Sequence, residues 1–125
     1  MPNDDVYLPL HVGREGKADL GYLGDNTGEN ISAKNANYCE LTGLYWAWKN
    51  LKCDYIGLCH YRRYFAAKNI HTSNAEKKKA AILHRTDYEK LLQEYDVILP
   101  VKRNYYIETV RSQYEHAHNK CDIDE

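Results

Sequence analysis

The stretch Tyr38–Phe65, YCELTGLYWAWKNLKCDYIGLCHYRRYF, runs through a helical period, a continuous apolar run and a basic corner. In its first half Tyr38, Leu41, Leu44, Tyr45, Trp48 and Leu51 recur at steps of three and four. That spacing predicts a helix over 38–51 with one broad apolar face. Asn37 and Glu40 have capping-box spacing at its start, and Lys49 and Lys52 suit the dipole at its end. Gly43 costs helix stability, so its place there predicts a close packing contact. Trp46 lies off the apolar stripe. Asp54–His60 (DYIGLCH) is apolar on both faces, as a central strand of an α/β sheet is. His60-Tyr61-Arg62-Arg63-Tyr64 follows directly.

Upstream, Val6–Val12 is a short apolar run centred on Pro9, which predicts an edge strand or an extended entry segment. Gly13–Asn37 is rich in Gly, Asn, Asp and Ser and has no surviving period, which predicts a long loop; such loops are often functional. Downstream, Ala66–Arg85 predicts an exposed segment with a weak helix near Ala75–Leu83. Thr86 and Glu89 have capping-box spacing for a second helix, Asp87–Tyr95. Asp96–Pro100 (DVILP) reads as a second buried strand, Lys102–Tyr106 as a loop and Ile107–Asn119 as a third helix. Alternating strands and helices predict an α/β layer with a largely parallel sheet. The length, 125 residues, fits a single domain over 1–125.

The formal net charge of −1 lacks the basic excess of a general nucleic-acid binder. Twelve tyrosines suit binding clefts and half-buried strands alike. The four cysteines form no C-x-x-C pair and no secretory signal precedes them. They read as reduced thiols packed in the core of a cytoplasmic protein. No run reaches the apolar length of a membrane span, although such a protein can still work at the inner face of the cytoplasmic membrane.

Three constellations can carry chemistry. His60, Tyr61, Arg62, Arg63 and Tyr64 stand at the carboxyl end of a predicted strand, where open α/β sheets bind ligands. Adjacent guanidinium forks suit phosphate oxygens, and the tyrosines can stack on a base or sugar. The plainer alternative is a solvated basic turn with Arg63 in a surface ion pair. The loop Asp25–Asn35 supplies Asp25, Asn26, Asn30, Ser32, Lys34 and Asn35, a mixture of donors and acceptors fit for sugar hydroxyls. Its alternative is an Asx-turn-rich loop leading into the next helix. Finally, His118 and Asp122 are spaced so that the carboxylate can orient the imidazole. The ligand spacing of His116 and His118 is poor for a metal, and no metal or other cofactor is predicted. No Gly-rich phosphate loop or nucleophile elbow is present.

The blocks ELTGLYWAWKN and GLCHYRRYF, continued by YDVILPVKRNYYIETVRSQYEHAH, resemble a bacterial capsular or exopolysaccharide glycosyltransferase family formerly described as a domain of unknown function. The resemblance spans nearly the whole chain. It implies a GT-A-like (Rossmann-like) domain, with a mostly parallel sheet flanked by helices and apparently truncated at both ends. It also implies transfer of a sugar from a nucleotide-sugar donor to a growing capsular, exopolysaccharide or lipopolysaccharide glycan, free or lipid-linked. In many such enzymes an Asp-x-Asp after the central strand holds a metal. Here that place is held by His60-Tyr61-Arg62-Arg63, which implies that cationic side chains replace the metal. On this reading His60, Arg62, Arg63, His118 and Asp122 serve catalysis. Asp25, Asn26, Asn30, Ser32, Lys34, Asn35, Tyr61 and Tyr64 serve donor and substrate binding. A non-catalytic carbohydrate- or anion-binding module, or an inactive remnant, is the alternative.

Overall fold

The computed structural model describes residues 2, 4–67, 72–102, 104 and 106–117. The fold is α/β, with a small parallel sheet and helices. The sheet pairs β1 (Leu10–His11) with β2 (Leu23–Gly24), Leu10 opposite Leu23 and His11 opposite Gly24. Parallel strands need a crossover, and residues 12–22 provide one. That connection is tightened by a 2.8 Å ion pair between Arg14 and Asp19 and by the Gly21 N–H donating to Asp19.

After β2 the chain runs through a 3-10 turn at Ser32–Lys34 into the four-residue α1 (Asn35–Tyr38) and then α2 (Leu41–Asn50). Three short helices follow: α3 (Ala75–Ala80), α4 (Arg85–Leu92) and α5 (Val110–Ala117). The expected cap on the 38–51 helix does not form. Cys39, at φ 47°, breaks the chain between α1 and α2, and Glu40 caps α2 without a side-chain bond. Helix α4 begins two residues earlier than expected. Its reciprocal cap joins His84 and Asp87 instead of Thr86 and Glu89.

The side of α2 that packs inward differs from the one its apolar period predicts. Thr42, Gly43 and Trp46 are buried, whereas Tyr38, Leu41 and Trp48 are 48%, 53% and 62% exposed. Gly43 explains the choice. A Cβ there would lie 2.9 Å from Val12 and 3.1 Å from Leu10, so the helix rides directly on β1 through its glycine. The close contact expected at Gly43 is therefore present. The opposite stripe (Ile31, Tyr38, Leu41, Leu44, Tyr45 and Trp48) lines an open concavity of about 380 Å³.

The predicted strands at Asp54–His60 and Asp96–Pro100 do not form. Residues 52–59 and 96–101 join no ladder, and Tyr55, Ile56, Leu58, Val97 and Leu99 are exposed. An apolar run becomes a strand only when a neighbouring edge takes up its N–H and C=O groups. Cys39 and Cys53 are likewise exposed instead of packed in a core, while Cys59 is half-buried. Burial pushes the Cys59 thiol up.

A second small cluster ties the N-terminal segment to α4. Asp4 accepts from the Arg85 N–H and meets the His84 ring at 2.9 Å. Asp5 pairs with Arg85 at 2.7 Å. The Tyr7 hydroxyl donates to the Leu83 carbonyl, and its ring meets Tyr64 and Tyr88 edge-on at 5.7 and 6.3 Å. Leu83, 5% exposed, closes this cluster, and its N–H donates to the Phe65 carbonyl. No helix among the described residues is long and apolar enough to cross a membrane.

Candidate functional site

The Asn-rich loop is built around one buried carboxylate. Asp25 has no exposed surface, and its oxygens accept from Gly13 N–H (2.7 Å), Arg14 N–H (3.0 Å), Ser32 Oγ (2.6 Å) and Thr42 Oγ1 (2.7 Å). The two successive backbone N–H groups form a small anion-binding nest. Gly13 makes that nest possible. Its φ is +63°, and a Cβ there would strike the Asn35 side chain. Burial by itself pushes the Asp25 carboxyl up, but the bonds from Ser32, Gly13, Thr42 and Arg14 outweigh it and hold the group below its usual range.

The rest of the loop is pinned to α2 in register. Trp46 Nε1 donates to the Thr27 carbonyl (2.9 Å) and hydroxyl (3.0 Å). Asn50 accepts from the Glu29 N–H (3.2 Å) and donates to the Glu29 carbonyl (2.8 Å). The Glu29 carboxylate takes the Tyr45 hydroxyl at 2.9 Å and Lys49 at 3.1 Å, and these two partners, Lys49 first, hold its carboxyl below the usual range. Sequence reading passed over Thr42 and Asn50 and took Trp46 as core only, off the main stripe. Their signal was present as three hydrogen-bonding residues at i, i+4 and i+8 on the side of the helix away from its apolar stripe.

The other expected loop residues divide into two sets. Ser32 is 2% exposed and gives its hydroxyl to Asp25, while Asn35 donates to the Cys39 carbonyl (2.7 Å) and to Thr42 (3.3 Å). Asn26, Asn30 and Lys34 do not bond α2. Asn26 keeps its Oδ1 without a hydrogen-bond partner, Asn30 bonds only the backbone of Gly28 and Ser32, and Lys34 is exposed.

At the basic corner, a turn brings Arg63 N–H onto the His60 carbonyl at 2.9 Å. His60 Nδ1 accepts from the Arg62 N–H at 3.3 Å, and its Nε2 lies 3.5 Å from the Glu40 carboxylate. Glu40 is the N-cap residue of α2, beyond the Asn-rich loop, so this contact joins the corner to the start of α2. Sequence reading had given Glu40 only a capping role. The Arg62 guanidinium lies 4.8 Å from the Tyr61 ring, and Tyr61 is 72% exposed. Among the described residues neither Arg62 nor Arg63 is in an ion pair, so the surface pairing of Arg63 considered above is absent. Tyr64 is half-buried against Tyr7. His118 and Asp122 lie outside the described residues. No three His, Cys, Asp or Glu side chains among the described residues form a group that could hold a metal.

A family described as a domain of unknown function, DUF4422, matches residues 1–125. The chain belongs to the DUF4422 family. This DUF4422 chain is also similar to a solved structure titled as the apo structure of the WbbM bifunctional glycosyltransferase. The two share 34% identity and a TM-score of 0.63 over 75% of this chain and 19% of that one. The DUF4422 chain thus spans about a fifth of that protein's length. The likeness makes its α/β fold glycosyltransferase-like. No curated protein matches the chain.

Proposed function

We propose that this chain carries the donor-binding part of a glycosyltransferase that takes a sugar from a nucleotide-sugar and adds it to a growing cell-surface polysaccharide. The observation that carries the reading is the pair of exposed arginines, Arg62 and Arg63, neither in an ion pair among the described residues. They sit on a corner whose His60 reaches Glu40 at the start of α2. The 34% identity to a structure titled as a glycosyltransferase supports it.

In this reading Arg62 and Arg63 take the diphosphate. Charge grows there as the sugar leaves, and a well-placed donor lowers such a barrier by roughly 3–4 kcal/mol. Asn26, Asn30 and Lys34 face the sugar. Asp25, Ser32 and Asn35 act on it indirectly, by holding the loop's shape. Tyr61 offers the ring on which a base can stack, and Tyr64 anchors the corner through Tyr7. The acceptor is a glycan, free or lipid-linked.

Titration of the chain with UDP and GDP tests this. Binding that weakens at least tenfold in Arg62→Ala supports the donor reading. Binding of free oligosaccharides with no nucleotide binding would replace it with a carbohydrate-binding module.

A further inference from the structure

Thr42, Trp46 and Asn50 stand four residues apart on α2, and each bonds a different loop residue: Asp25, Thr27 and Glu29. Four helical residues advance about 6 Å, and two residues of chain can span up to about 7 Å. A four-step on the helix therefore matches a two-step on the loop, and the helix acts as a ruler for it.

The three rungs are unlike one another. Thr42 and Trp46 are buried, so packing already accounts for them. Asn50 is exposed, and all of its bonds go to backbone: the Glu29 N–H, the Glu29 carbonyl and, at 2.9 Å, the Trp46 carbonyl. Asparagine is a poor helix former, and two of Asn50's three bonds go to Glu29 on the loop. The loop is built to meet it. Gly28 has φ +55°, and a Cβ there would lie 2.0 Å from the Asn50 oxygen. Immediately beyond Glu29, Asn30 bonds the Gly28 carbonyl and the Ser32 N–H, so its placement follows from where Glu29 is held.

We propose that Asn50 is a positioning residue of the donor site, acting through the Glu29 backbone to hold Gly28–Asn30 in ligand-ready shape. This rests on the donor reading above. It adds a residue outside both the loop and the basic corner.

The test uses the full chain as wild type, Asn50→Ala and Asn50→Asp, with the nucleotide-sugars UDP-glucose and GDP-mannose as the nucleotide probes. Amide exchange at Glu29, nucleotide affinity and the thermal midpoint are measured together. In Asn50→Ala, exchange at Glu29 rises about tenfold or more and nucleotide affinity falls about fivefold, while the midpoint stays close to wild type. Asn50→Asp keeps the acceptor for the Glu29 N–H but cannot donate to the carbonyls, so it falls between the two. Unchanged affinity in Asn50→Ala beside firm wild-type binding would overturn the role of Asn50 alone. Unchanged exchange at Glu29 would do the same. No nucleotide binding by the wild-type chain would overturn the donor reading, and the role of Asn50 with it.

Discussion

Asp25 is an unusual anchor, a carboxylate with no exposed surface that stays ionised because four donors converge on it. Desolvation opposes its charge, and the hydrogen bonds more than offset it, leaving the carboxyl below its usual range. A depressed folded value makes the sign definite. The stability it contributes is complete above the unfolded value near pH 4 and is lost as pH falls through the lower folded value. Asp25→Asn keeps the shape, but its amide nitrogen cannot accept the donors that faced that oxygen. Denaturant unfolding at neutral pH should show a loss of about 2–4 kcal/mol, with the gap to wild type narrowing below about pH 4. Equal stability at neutral pH would mean that the four bonds are not what holds the loop. From the sequence, Asp25 was legible as an important polar residue, but not as an inward-facing one. Nothing in its neighbours' letters says that Gly13, seventeen-residue-distant Thr42 and Ser32 would all turn toward it.

Helix α2 shows why periodicity located an element but chose the wrong side. The helix lies where the three-and-four spacing puts it, yet Trp46 is 4% exposed and Trp48 is 62% exposed. Hydrogen bonding decided between them. The Trp46 indole N–H finds Thr27, and the Gly43 notch admits β1, so the side with fewer apolar letters packs more closely. Trp46→Ala should cost about 3–5 kcal/mol. Trp48→Ala gives up little beyond its contact with the Lys49 ammonium at 4.0 Å, about 0.5–1 kcal/mol. Chemical denaturation of the two variants checks the order; a larger loss at Trp48 would reverse the assignment of faces. The later helices and α2 were legible from their spacing to within a few residues, but the capping letters pointed to the wrong residues. Of the strands, β1 lies within the expected Val6–Val12 run, while the runs at 54–60 and 96–100 misled, because pairing is a property of two segments and the letters of one do not reveal its neighbour.

The N-terminal clamp on α4 makes a separate prediction. The Val6 and Arg85 N–H groups draw the Asp4 carboxyl down to about 2. Its contribution is present above the unfolded value near 4 and disappears as pH falls toward about 2. Amide protection at Arg85 should fall across that interval in wild type, and Asp4→Ala should lack the protection at every pH. Protection that survives in Asp4→Ala would show that α4 caps itself through His84 and Asp87 alone.

Among the described residues there are two small packed centres, one at Asp25 and Trp46 and the other at Leu83, with broad apolar surface outside them. Leu41, Trp48, Val97, Leu99 and Val101 are all more than half exposed. Exposed apolar surface of this extent marks sites of contact with other molecules or other chain segments. His60 reaches Glu40 at the start of α2, at 3.5 Å. The sequence shows both residues but not that contact, because they lie twenty positions apart and only the fold brings them together.

Everything proposed for this chain requires the Asn-rich loop and the basic corner to receive one ligand together. Amide chemical-shift mapping of the isotope-labelled 125-residue chain during titration with UDP-glucose reads this directly. The account predicts saturable shifts at Asn26–Lys34 and at His60–Tyr64 with one common dissociation constant, both lost in the Arg62→Ala, Arg63→Ala double variant. Shifts confined to one segment, or none at either, would contradict it.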